Sequence, residues 1–512
     1  MHDCPAPAHS AWRPLRASLP VGFVLIALTG CTAVGPDFHS PAAPDVAQYT
    51  QTTLPKQNQA TNSTAQGTAQ SYTPAQTVPR DWWKQFHNPA LNALIARGLT
   101  TSPTLTAAEA KFRQAQQTFA AQAGSTQLPQ VNGKLAAQSQ GINNSAFGQN
   151  GGKRSFELYN AGLSVTYNLD LFGANRRALE ALAAQADYQQ YELEAARLSL
   201  AGNIAIQAIA QAMLNEQIAT TEAIIRSQQD QLDLVEKRIK LGAATRSDAL
   251  SLQTQIQQTR ATLPPLRTKR AQANHLLATL TGQLPGAASI PQFTLADFVL
   301  PDTLPVIVPS EWVRARPDIQ ASEALLHAAS AQYGVAVSNL YPQINLTGTL
   351  GSQSIAPEKL FRPDSLIWSL IAGLTQPIFN GGLKAGADAA HEALSAAAAN
   401  YQQTVLDGLR NVADVLRAST NDADTLAAQT AAEQSAQASL TLIEQQLKLG
   451  SANYLQLLIA QQQVAQTRLL TLTARAQRLN DTVALYQAMG GGMTSPAPPM
   501  AKNTTTHDTP TP

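Results

Sequence analysis

The chain writes one pattern twice. Leu128-Pro129-Gln130-Val131 returns as Tyr341-Pro342-Gln343-Ile344, and Asp170-Leu171-Phe172-Gly173 returns as Pro377-Ile378-Phe379-Asn380. Lys240-Leu241-Gly242-Ala243 returns as Lys448-Leu449-Gly450-Ser451. The offset is roughly 210 residues each time, which marks a tandem duplication rather than a solenoid of short repeats. Each copy sets a pair of strand-like segments between very helical ones. A soluble domain rarely needs that layout, whereas a chain that crosses a membrane with strands and continues as helices does.

The strand segments carry the stronger constraint. Tyr159, Ala161, Leu163, Val165, Tyr167 and Leu169 alternate with Asn160, Gly162, Ser164, Thr166 and Asn168. Period two over that length matches a transmembrane strand of about 9–11 residues, apolar outward and polar inward. A weaker strand precedes it, around Val131 to Ser139, across a Gly/Asn-rich loop from Gly141 to Arg154. The second copy repeats the pair. Ile344, Leu346 and Leu350 alternate with Asn345, Thr347 and Thr349. Trp368, Leu370, Ala372 and Leu374 alternate with Ser369, Gly373 and Thr375, although Ile371 interrupts the polar face. Gly351 to Ser365 reads as the second external loop. Four strands cannot close, and an open edge in lipid leaves backbone groups unpaired at several kcal/mol each. The smallest membrane barrels have about eight strands. Such a chain must oligomerise, and three copies give twelve strands.

The helices are too long for a globule. No proline occurs from Ala174 to Lys240 or from Leu383 to Lys448. Each stretch is about 100 Å long as continuous helix. Ile218, Ile225, Leu232 and Ile239 form a heptad series. Each helix stops at Leu241-Gly242 or Leu449-Gly450, glycine being the expected C-terminal cap. A return helix then starts near Ser247 or Asn453, and Pro264-Pro265 should bend the first of them.

The front of the chain sets the compartment. Arg13 and Arg16 precede an apolar run from Leu19 to Leu28, which ends in Leu28-Thr29-Gly30-Cys31. That run is too short to span a bilayer and reads as a secretory signal over residues 1–30. The cysteine after small residues makes it a lipobox, with Cys31 the lipidated first residue. The other cysteine, Cys4, lies in the discarded segment, so no disulfide can form within a mature chain. Thr32 in place of aspartate favours the outer membrane. Residues 31–80 read as a lipidated, mostly extended segment and 81–284 as the first repeat. Residues 285–310, rich in proline, form a connector, 311–492 the second repeat, and 493–512 a disordered tail.

Other classes find little support. Charged residues are 13% of the chain and net charge is +1, so no basic face invites nucleic acid. No run of 18 apolar residues follows the signal, so no transmembrane helix is expected. His39, His87, His275, His327, His391 and His507 show no metal-ligand spacing, and no phosphate loop or nucleophile elbow occurs. The chain reads as a non-enzyme whose only added group is the covalent lipid on Cys31.

These residues resemble the TolC-like outer membrane factors of tripartite efflux systems, in the NodT-type lipoprotein branch. The resemblance covers nearly the whole mature chain. It rests on Cys31-Thr32-Ala33-Val34-Gly35-Pro36-Asp37-Phe38, on Trp82-Trp83 with Phe86, Pro89 and Leu91, and on Leu169-Asp170-Leu171-Phe172-Gly173. Arg316-Pro317-Asp318-Ile319 with Glu323, Tyr341-Pro342, Gln376-Pro377-Ile378-Phe379 and Met489-Gly490-Gly491-Gly492 complete it. The resemblance implies a mixed α and β membrane protein, a homotrimer with one shared twelve-stranded barrel and a long periplasmic α-barrel. It also implies a periplasmic adaptor at the helical tips, an inner-membrane pump of the resistance-nodulation-division type, and export of small molecules. Carried over residue by residue, the gate falls on Leu455. The acidic positions used by relatives fall on Ile459 and Gln456, so those carboxylates are missing here. Asp248 could supply acidity instead, or serve only as a first-turn helix aspartate. Arg246 and Tyr454 could tie the closed tips together. Adaptor contact would fall on Leu241, Gly242 and Ala243 with Leu449, Gly450 and Ser451, and Phe147 and Ile355 could close the outer mouth. Two rivals stay open, a lipid-tethered periplasmic coiled-coil scaffold and the same channel serving protein secretion.

Overall fold

The computed structural model describes residues 33–53, 55–61, 65–74, 77–143 and 153–492. Cys31, Phe147 and the tail beyond Gly492 lie outside the described residues. In chain order the elements are β1 (Ser71–Pro74), α1 (Pro89–Thr101), α2 (Pro103–Thr126), β2 (Gln130–Asn143), β3 (Lys153–Leu169) and α3 (Ala174–Lys240). Then come α4 (Arg246–Ala261), α5 (Leu263–Leu280), β4 (Thr303–Val306), α6 (Pro309–Trp312) and α7 (Pro317–Ser338). The series ends with β5 (Gln343–Ser354), β6 (Leu366–Thr375), α8 (Gly381–Lys448) and α9 (Tyr454–Ala488). The order helix, hairpin, long helix, return helix occurs twice. The described residues divide into two compact units, one of residues 33–36, 123–178 and 331–389, the other holding the remaining described residues.

The first unit is built on a four-stranded antiparallel sheet in the order β2-β3-β5-β6. Leu163 faces Gly133 on one side and Leu350 on the other, and Leu350 faces Trp368. Pairing at this register puts the apolar set of all four strands on one face, because side chains alternate with period two. That face is bare: Leu135 is 79% exposed, Trp368 75% and Leu370 76%. The opposite face is polar and bonded across strands. Thr349 and Ser369 share a hydroxyl contact of 2.6 Å, and Gln353 Nε2 donates to Asn160 Oδ1 at 2.6 Å. Ile367 and Ile371 share the polar register and interrupt it. The strands outrun the sequence-based ranges: β2 continues to Asn143, β3 starts at Lys153 and β5 continues to Ser354, which shortens both external loops.

The second unit holds the long helices. α3 has 67 residues and α8 has 68, and α3 ends where the proline-free stretch ends. The heptad positions Ile218 and Ile225 are buried against Leu263 and Leu266 of α5. Leu232 and Ile239 pack nearer the tip, around Val235 of α3 with Ala249, Leu252 and Ile256 of α4. The first return helix breaks at Thr262, two residues ahead of Pro264, because the prolines remove donors that a continuous helix requires. The second return helix has no proline and runs unbroken for 35 residues.

The segments expected to be an extended lead and a plain connector are packed parts of this unit. β1 and β4 pair in parallel, Ser71 opposite Thr303 and Pro74 opposite Val306. The connector supplies Phe293, Leu295, Phe298, Leu300, Leu304 and Ile307 to a core that also buries Trp82, Phe86, Trp312 and Tyr486. Trp82 stacks on Tyr486 at 5.4 Å, and Trp312 Nε1 donates to the Ala488 carbonyl at 2.8 Å. Arg316 forks onto Asp318 at 2.9 and 2.6 Å and lies over the Trp312 ring at 5.2 Å.

At the centre sits Arg478, 2% exposed on α9. Its guanidinium donates to Gln66 O, Thr68 O, Asn58 Oδ1 and Gln70 Oε1 at 3.0–3.3 Å. Gln66 then donates to the Leu295 and Phe298 carbonyls, and Gln70 to the Pro301 carbonyl. One buried cation thus ties the N-terminal strap, the connector and the last helix together. Three residues on, burial and then the charge of Asp422 push Asp481 up to about 7.

Arg478→Met should strip these oxygens of their donor and destabilise the protein by on the order of 3 kcal/mol, read as a lower Tm of the detergent-solubilised protein. Asp481 has a folded-state pKa raised above its unfolded value near 4, so the native state binds the extra proton. Its contribution is therefore fully present below about pH 4 and lost as pH rises through about 7. The Tm of the wild type should fall between pH 5 and pH 8 more steeply than that of Asp481→Asn, and parallel curves would refute this.

Candidate conduit, anchor hook and gate

The Leu169-Asp170-Leu171-Phe172-Gly173 turn between β3 and α3 does three jobs. Asp170 accepts from the backbone N–H of Asn175 at 3.0 Å and of Arg176 at 2.9 Å, capping the long helix where its orphan donors need partners. Phe172 stacks on Tyr341 at 4.9 Å and 23°. The Phe172 carbonyl accepts the Val34 N–H at 3.0 Å. Arg177 adds donations to the Val34 and Gly35 carbonyls. Gly35, at φ +91°, has room for no side chain, since a Cβ there would lie 2.6 Å from Gly334 Cα. Val34 and Gly35 are therefore hooked onto the foot of the sheet. The sequence offered the motif but not this role, because the partners lie some 140 and 300 residues away.

Both helical hairpins turn in the same way. At the first, Ala243 N–H donates to Arg238 O at 2.8 Å and Gly242 N–H to Ile239 O at 3.0 Å. At the second, Ser451 N–H donates to Gln446 O at 2.9 Å and Gly450 N–H to Leu447 O at 3.2 Å. These pairs define a Schellman motif, which requires a left-handed residue; Gly242 and Gly450 sit at φ +71° and +80°. Nothing crowds either glycine, so backbone conformation and not close helix approach within the chain selects it. The residue before each glycine projects outward: Leu241 is 82% exposed and Leu449 85%.

Each turn leads into a capping box. Thr245 Oγ1 accepts from Asp248 N–H at 3.2 Å, and the Asp248 carboxylate accepts from Thr245 N–H and Oγ1–H at 2.8 and 2.7 Å. Asn453 and Gln456 make the same reciprocal pair at 2.9 and 2.8 Å. Asp248 and Gln456 are thus both occupied at helix N-termini, which is the plainer of the two roles open to Asp248. Within the chain Tyr454 makes no hydrogen bond across the tips. Its ring packs on the Val235 cluster and its buried hydroxyl has no partner among the described residues. Leu455 and Ile459, four residues apart, share one side of α9 and are 65% and 59% exposed, while Leu457 and Ala460 on the other side are buried.

Comparison with known proteins places this arrangement. The family model described as outer membrane efflux protein matches residues 94–283 and again 308–491. The pyoverdine export outer membrane protein OpmQ of Pseudomonas putida is 31% identical over 437 residues, 83% of this chain and 91% of that protein. Nodulation protein T of Rhizobium leguminosarum bv. viciae is 29% identical over 81% of this chain and 85% of its own. The cation efflux system protein CusC of Escherichia coli K12 is 28% identical over 92% of this chain and 98% of its own. Among solved structures, the outer-membrane channel OprN superposes with a TM-score of 0.80 at 26% identity, covering 90% of this chain and 99% of that one. A CusC structure gives 0.78 at 25% identity, over 90% of this chain and 100% of that one. The chain belongs to the outer membrane efflux protein family, and its mixed helical and β fold is that of an outer-membrane channel component of an efflux system.

Proposed function

We propose that three copies of this chain close one twelve-stranded barrel in the outer membrane and that their helices continue it as a periplasmic conduit for small molecules. The open, apolar-faced sheet carries the reading. β2 and β6 each have one unpaired edge among the described residues, and lipid can satisfy neither. The chain performs no bond chemistry in this scheme. A water-filled path lined by Asn, Ser, Thr and Gln replaces the hydrocarbon barrier, and the energy comes from an inner-membrane pump of the resistance-nodulation-division class. The exposed Leu241 and Leu449 are the apolar contacts offered to a periplasmic adaptor, and small-molecule cargo follows from the similarity to OpmQ, a pyoverdine export protein, and CusC, a cation efflux protein.

The lipid on Cys31 completes the anchor. Cys31 stands three residues ahead of Val34, whose N–H the Phe172 carbonyl holds. Leu455 and Ile459 form the gate as an apolar constriction, because no carboxylate stands at 456 or 459.

Native mass and planar-bilayer conductance on one detergent preparation test the conduit. A trimer with discrete, mostly closed channels supports it, and a monomer without current defeats it. Leu455→Ser with Ile459→Ser should raise the mean current several-fold by removing the apolar ring, and an unchanged current would reassign the gate. Cys31→Ser should remove the acyl mass from the mature N-terminus and still yield inserted trimers, because the barrel itself holds the protein in the membrane.

A further inference from the structure

Ile378 and Phe379, just past β6, are 96% and 99% exposed. Their counterparts in the first copy are Leu171 and Phe172, and Phe172 has a partner: it stacks on Tyr341, just ahead of β5. The counterpart of Tyr341 is Leu128, just ahead of β2, and Leu128 is 64% exposed. One contact is made inside the chain, and both halves of its twin are left bare. The two bare halves sit at the two open edges of the same sheet. We propose that β6 of one copy pairs with β2 of the next in the register that β3 and β5 show within the chain, with Phe379 seated on the neighbouring copy's Leu128. This rests on the shared-barrel reading above and adds the seam that closes it.

The register follows from the duplication. Phe172 maps to Phe379 and Pro129 to Pro342. Leu163 opposite Leu350 therefore becomes Leu370 opposite the neighbour's Ala137, and Thr166 opposite Thr347 becomes Gly373 opposite its Lys134. Lys134 lies on the polar face and already faces Gly162 in its own chain, so glycine flanks this lumenal lysine on both sides. The two hairpins are not exact copies, however. Gln130 faces Thr166, but Gln343 faces Thr375 and not Gly373. A seam slipped by two residues is therefore the rival.

Geometry decides against it. Crossing the sheet from Leu135 leads to Ala161, Ser352 and Leu366. The proposed seam then leads to Gly141 of the next copy, six residues further along β2. Three copies shift eighteen residues around twelve strands. With a rise of about 3.3 Å and a strand spacing of about 4.8 Å, the strands tilt by about 46°, close to the about 45° usual for membrane strands. A slip one way tilts them about 54°, outside the usual range. A slip the other way gives about 35° but moves Phe379 about 6.6 Å along the neighbour, off Leu128.

Paired cysteines test this. Leu370→Cys with Ala137→Cys, and Ser369→Cys with Gln138→Cys, are adjacent facing pairs, so one of them is the closer, non-hydrogen-bonded kind with Cα atoms about 4.5 Å apart, within disulfide reach. Oxidised in outer-membrane preparations, at least one should give covalent dimers and trimers on a non-reducing gel. Leu370→Cys with Leu135→Cys or with Ser139→Cys should give at least five-fold less. The four single variants report any bond made through Cys31. Stronger bonding at a shifted pair in a protein of trimeric native mass overturns the register and leaves the barrel standing. A monomeric native mass removes the shared barrel, and the seam with it.

Discussion

Everything in the first unit turns on the backbone hydrogen bond in lipid. A strand edge facing hydrocarbon leaves N–H and C=O groups without partners, and no side-chain chemistry on the strand repairs that. Four strands present two such edges, on β2 and β6. The apolar face that makes the sheet compatible with lipid is therefore also what commits the chain to meeting copies of itself. The same physics fixes the register. A one-residue slip between β3 and β5 would leave Leu163 and Leu350 on opposite faces and set the Ser164 or the Thr349 row against acyl chains.

Local periodicity made much of this legible in the sequence. Alternation marked β3 and β5, proline-free heptads marked α3 and α8, and the paired Leu-Gly turns marked both tips. The structure puts a Schellman glycine at each of those turns. What the sequence hid was non-local. The pairing of β1 with β4 joins residues more than 200 positions apart, and neither strand exceeds four residues. Nothing in Ser71-Tyr72-Thr73-Pro74 announces a partner. Arg478 is similarly silent, since one arginine in a Gln-rich helix reads as solvated until the strap closes over it. Proline-rich composition masks Phe293, Leu295 and Phe298, whose aromatic and aliphatic bulk belongs to the core.

The candidate gate shows where motif transfer and physical role part. Gln456 and Asp248 are equivalent positions in the two copies, each the third residue of its return helix. Both side chains reach back to the cap residue's N–H, so both positions have a structural use that needs only an oxygen acceptor. An amide and a carboxylate satisfy it equally well. The second copy can therefore lack a carboxylate without losing its turn, and the charge near the tip is free to differ between members of one fold. Leu455 and Ile459 have no such local use. They stay exposed while Leu457 and Ala460 are buried, so whatever meets them lies outside the single chain.

The duplication also explains where the two copies must differ. Each copy could supply an identical hairpin and an identical helix pair, but there is only one N-terminal strap to share between them. It seats on α9, through Arg478, Gln66 and Gln70, and that helix runs unbroken from Tyr454 to Ala488. The equivalent helix in the first copy breaks ahead of Pro264-Pro265 and ends at Leu280. An unbroken α9 offers the strap and connector a continuous surface, with Arg478 and Thr482 one turn apart and both bonded to the strap. A broken α4–α5 pair would split such a surface. Symmetry is thus held where the sheet needs matching edges and abandoned where a single strap must find a single seat.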